Sequence, residues 1–74
     1  MSTVLHLLKR PATTLTRAVI DQHVRAGDRV SVVLLPGAVA SDFPPGVRVR
    51  RLDADLSYAA LLDLIFDSDH VITW

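Results

Sequence analysis

The chain has 74 residues, half of them hydrophobic, with eight Lys and Arg balanced by eight Asp, no Glu and no cysteine. That length allows one domain with a thin core, and zero net charge argues against the broadly basic face that direct nucleic-acid binding needs. The missing thiol excludes disulfides, thiolate metal sites, a nucleophilic cysteine and any persulfide carried on this chain.

Val4 to Leu8 is an almost continuous apolar run of strand length, interrupted by His6. Such a run suits a central strand covered on both faces. His6 reads as a packed histidine, because no second His or carboxylate stands at metal spacing from it. Lys9-Arg10-Pro11 ends the strand, and Thr13 or Thr14 is placed to cap the helix that follows. At 100° per residue, Leu15, Val19, Ile20, His23, Val24 and Ala26 share one half of that helix, opposite Arg17, Asp21, Gln22 and Arg25. His23 thus belongs to the buried side, hydrogen-bonded under the helix or at its flank. Gly27 follows the last turn, where a left-handed residue stops a helix.

Val30 to Leu35 is the clearest strand, β-branched and apolar on both faces. With the preceding strand and helix it makes one right-handed βαβ unit. Residues 36–46 hold three of the four prolines and two of the three glycines, with room for one helical turn over 37–41. Val47 to Leu52 alternates, valines inward and Arg48 and Arg50 outward, the pattern of an edge strand protected by charge. Ser57 caps a second helix whose apolar residues, Tyr58, Leu61, Leu62, Leu64, Ile65 and Phe66, wrap most of the cylinder. Asp67 and Asp69 at its end oppose the helix dipole, so basic partners are expected nearby. His70 to Trp74 then forms a last strand with His70, Ile72 and Trp74 on one face.

All eight cations lie in residues 1–52 against three Asp, and residues 53–74 hold five Asp and no cation, so the two parts carry +5 and −5. Neutralisation within the fold is the expectation, with head-to-tail attraction between copies as the sharper alternative. No basic segment leads into a long apolar run at the start, and nothing approaches the roughly 20 apolar residues that span a bilayer. A cytoplasmic protein with no membrane partner is expected. So much apolar material on so short a chain predicts burial against another subunit, in a homo- or hetero-oligomer.

Chemistry has few places to reside. Lys9, Arg10, Thr13 and Thr14 form a candidate anion-binding turn at the carboxyl end of the first strand, beside a helix N-terminus. No glycine stands in that turn, so it is not a phosphate fingerprint. Asp53, Asp55, Asp63, Asp67 and Asp69 lack the spacing of a calcium loop, and no serine lies in a Gly-x-Ser-x-Gly turn. No catalytic residue, metal or cofactor is therefore assigned, and the chain is not expected to be an enzyme.

Three segments together resemble the DsrE/DsrF/DsrH superfamily, most of all its DsrH/TusB-type branch. They are Leu5-His6-Leu7-Leu8-Lys9-Arg10-Pro11, the Leu35-Pro36-Gly37-Ala38-Val39 turn, and the closing segment from the Tyr58 helix start through its acidic end to Trp74. The resemblance covers nearly all of residues 1–74, read as one domain. It implies a three-layer α/β/α fold whose four-stranded parallel sheet has the order 3-2-1-4. It also implies a place in cytoplasmic sulfur relay, toward tRNA thiolation or sulfur oxidation, among DsrE- and DsrF-like subunits. The family's sulfur carrier is a cysteine, so this chain would be a non-catalytic subunit or diverged homologue. Residues 36–46 replace a helix usual in the family. Tyr58, Leu64, Phe66 and Trp74 are the candidate interface residues. The alternative is a small anion- or nucleotide-binding module built on Lys9, Arg10, Thr13 and Thr14.

Overall fold

The structure is a computed structural model that describes residues 2–38 and 43–74. The elements run β1 (Thr3–Leu8), α1 (Thr14–Arg25), β2 (Arg29–Leu34), β3 (Val47–Arg51), α2 (Tyr58–Asp67) and β4 (His70–Thr73). The four strands make one parallel sheet in the order β3-β2-β1-β4, the order expected above. A parallel ladder forbids short hairpins and sends the chain across the sheet between partners. The helix turn considered for residues 37–41 falls largely outside the described residues.

Register sorts the side chains into two cores. Leu8, Val30, Val32 and Leu34 pack with Ile20 of α1 on one face, and Leu5 and Val33 pack with Leu56 and Leu61 of α2 on the other. One helix on each face is what two crossovers of the same hand require when the chain moves outward to β3 and then returns past β1 to β4. The result is the expected three-layer α/β/α arrangement.

Each helix begins at the cap its sequence offers. Thr13 Oγ1 accepts from the Thr16 amide at 3.2 Å, and Thr16 Oγ1 accepts from the Thr13 amide at 3.3 Å, a reciprocal capping box. Ser57 Oγ accepts from the Ala60 amide at 3.1 Å. At the far end of α2 the Ser68 hydroxyl donates to the Leu64 carbonyl at 2.6 Å, satisfying a carbonyl the helix leaves unpaired.

Three expectations are corrected. Leu15, on the apolar half of the α1 wheel, is 64% exposed, and Thr16 is buried instead. The capping box turns Thr16 inward, in line with Ile20, and leaves Leu15 at the flank. Val49 shares a face with Val32 yet is exposed, because β3 is the outer strand of the sheet while α1 packs on β2. The acidic end of α2, finally, meets its expectation only in part: Asp67 borders one cleft with Arg29 and Arg48, whereas Asp69 accepts from a backbone amide. Asp28 accepts from the Ser2 amide, Asp55 from the Arg51 amide and Asp69 from the Thr3 amide. Among the described residues the one ion pair is Arg25–Asp21 within α1. A carboxylate accepting a backbone N–H at a strand end gains a directional bond without ordering a long cationic side chain.

Candidate functional site

Two features stand out, one buried and one exposed. The buried feature starts from strand parity. His6 faces the α1 side with Val4 and Leu8, and it is fully buried. Parallel pairing sets Ile72 of β4 beside it, so Trp74, two residues on, reaches the same face. The Trp74 indole Nε1–H donates to His6 Nδ1 at 3.0 Å. His6 Nε2 in turn lies 3.2 Å from His23 Nδ1 on α1. The His6 and Trp74 rings are nearly parallel, 16° apart with centroids at 6.2 Å, and the His6 and His23 centroids are 5.3 Å apart.

The chemistry of the three groups orders this chain. Indole N–H only donates, so His6 must present a lone pair at Nδ1 and carry its proton on Nε2. His23 therefore accepts at Nδ1. Loss of hydration on burial, and secondarily the charge on a protonated His23, lower the His6 pKa from 6.5 to about 4. His6 is consequently neutral at pH 7. With both ring nitrogens engaged, it has none left for a metal or an outside substrate.

β4 is held at its other end too. Asp69 clasps Thr3 twice, its carboxylate accepting from the Thr3 amide at 2.8 Å and its own amide donating to the Thr3 carbonyl at 2.9 Å. The Trp74 amide continues the ladder onto the Leu7 carbonyl at 2.8 Å.

The exposed feature is the outer side of α2. Tyr58, Leu62 and Phe66 recur every fourth residue and are 64%, 41% and 83% exposed. Val71 of β4 is also exposed, on the same side of the sheet as α2 by strand parity. Among the described residues β4 pairs only with β1, which leaves its outer edge open there, and His70-Val71-Ile72-Thr73 offers no Lys, Arg or Pro to protect it. The opposite edge strand, β3, carries Arg48, Arg50 and Arg51.

The candidate interface residues separate on this framework. Tyr58 and Phe66 belong to the exposed stripe. Leu64 instead packs against the α2-side core, and Trp74 packs against the α1-side core, so the four do not form one surface. In the candidate anion-binding turn, Lys9, Arg10, Thr13 and Thr14 are all exposed, with the Thr13 hydroxyl already committed to the helix cap. An open cleft of about 630 Å³ lies elsewhere, between α2 and the sheet, bordered by Arg29, Ser31, Arg48 and Asp67.

As sequence signals His6 and His23 stand apart as packed residues and Trp74 as an interface residue, with nothing local to join them. The signal that joins them is parity: a βαβ helix covers one strand face, and a fourth strand laid beside the first puts Trp74 on that same face.

The fold defines a small parallel α/β protein of three layers. No protein-family model, curated protein or solved structure matches the chain. Among the described residues no helix is long and apolar enough to cross a membrane.

Proposed function

We propose that this chain is a thiol-free subunit, or diverged homologue, of a cytoplasmic sulfur-relay assembly of the DsrE/DsrF/DsrH type, serving through the surface it offers to neighbours and not through chemistry of its own. The observation that carries this reading is the Tyr58/Leu62/Phe66 stripe beside the unprotected edge of β4. With Val71 it sets four exposed apolar side chains along one side of the molecule, the kind of contiguous patch that marks a contact with a neighbour. The sheet order 3-2-1-4 supports the resemblance at the level of fold. In that reading the sulfur is carried by partners, since this chain holds no cysteine.

Sedimentation velocity of the wild type, by itself and mixed with cysteine-bearing DsrE- and DsrF-like subunits, tests the reading. Association is expected in at least one setting, weakened roughly tenfold or more by Phe66→Asp, which places an unpaired charge in the contact. A chain that stays monomeric in every mixture overturns it.

A further inference from the structure

We propose that the Trp74–His6–His23 chain is a proton-operated latch on β4: the imidazole pair can bind a proton only by giving up a hydrogen bond of the chain, and the bond it gives up is the one to Trp74.

Two contacts share the protons of this chain. In the neutral chain each contact has one N–H and one lone pair. The indole sets the direction because it has no acceptor on nitrogen. Take a proton from solvent onto His23 Nδ1, and two N–H groups face each other across the 3.2 Å contact with His6. His6 can relieve that conflict by moving its own proton from Nε2 to Nδ1, so that Nε2 accepts from the imidazolium. The conflict then passes to the other end, where His6 Nδ1–H meets the indole N–H across 3.0 Å. A proton added directly to His6 Nδ1 reaches the same arrangement. Every placement leaves one donor facing another, and the indole is the member that cannot change its role.

Two features send the break to the Trp74 end. Keeping the imidazoles bonded retains the charge-assisted contact, which is the stronger kind. His23 is anchored in α1, whereas Trp74 is half-buried just beyond the last residue of β4. Facing groups offer the new charge no compensation. α1 contributes His23, β4 contributes Ile72 and Trp74, and β2 contributes Val32 beside His6. Among the described residues no carboxylate forms an ion pair with either imidazole. The depressed His6 pKa, about 4, agrees in direction with a site built for the neutral ring.

Trp74 is the single tryptophan, so its fluorescence and its indole N–H report the latch directly. Nitrogen-15 NMR at neutral pH should find His6 and His23 both protonated on Nε2. On acidification, indole protection from exchange should fall by roughly tenfold or more together with imidazole protonation, while far-UV circular dichroism still reads folded. His23→Gln keeps an acceptor for His6 but does not titrate, and it should move the release about one pH unit lower or more. Trp74→Phe removes the directing donor, and the pair should then take its proton at higher pH; this variant decides the matter if His23→Gln does not fold. The proposal is overturned by His6 protonated on Nδ1 at neutral pH, by an indole that stays protected through imidazole protonation, by a release midpoint unmoved in His23→Gln, or by release that coincides with global unfolding.

Discussion

At the scale of single residues, His6 links burial to pH. Its folded pKa lies below its unfolded value, so the unfolded chain binds the extra proton first as pH falls. Stability is therefore full above pH 6.5, declines between 6.5 and about 4, and levels off below. The loss attributable to this ring is about 3 kcal/mol. Urea unfolding at neutral pH and near the lower limit, compared with the same pair in His6→Asn, checks it; the variant should lose most of that pH dependence. Two glycines give a second test. Gly27 and Gly37 both adopt positive φ, +84° and +98°, but a Cβ at Gly27 meets nothing whereas one at Gly37 falls 2.9 Å from the Lys9 carbonyl oxygen. Gly27→Ala should cost about 1 kcal/mol from backbone conformation, and Gly37→Ala about 3 kcal/mol because the turn after β2 must also move off the turn after β1. Equal melting temperatures for the two variants would contradict this.

At the scale of elements, the strands and helix starts were legible because they depend on local rules. Apolar runs of strand length, a capping threonine or serine and a glycine past a helix each act within a few residues. The exposed face of α1 was not legible to the same degree. A wheel places Leu15 and Ile20 in the same half, but only the packed structure shows that the helix turns Thr16 and Ile20 toward the sheet. Ile20→Ala should therefore cost about 2–5 kcal/mol and Leu15→Ala less than about 0.5 kcal/mol, and denaturant midpoints that rank them otherwise would sink that assignment. The partner of Asp69 is not legible in the sequence for a related reason. A cluster of Asp invites pairing with Arg, whereas strand starts present backbone amides closer at hand, as Thr3 does to Asp69.

At the scale of the whole molecule, the sheet order followed from the resemblance, and the two-faced core followed from the order. What pattern could not supply was the meeting of residues 6, 23 and 74, which depends on three elements settling in one register. The opposed charge of the two chain segments has a simpler outcome than ion pairing within the fold: it leaves an arginine-lined border at β3 and a border without cations at β4. The position of β1 between β2 and β4 also has a temporal consequence. Its neighbour on one side is synthesised within some thirty residues, its neighbour on the other only after more than sixty. A half-made sheet thus waits with a vacant berth along its central strand, and whichever matching segment arrives first, from the same polypeptide or from a sister copy, can fill it.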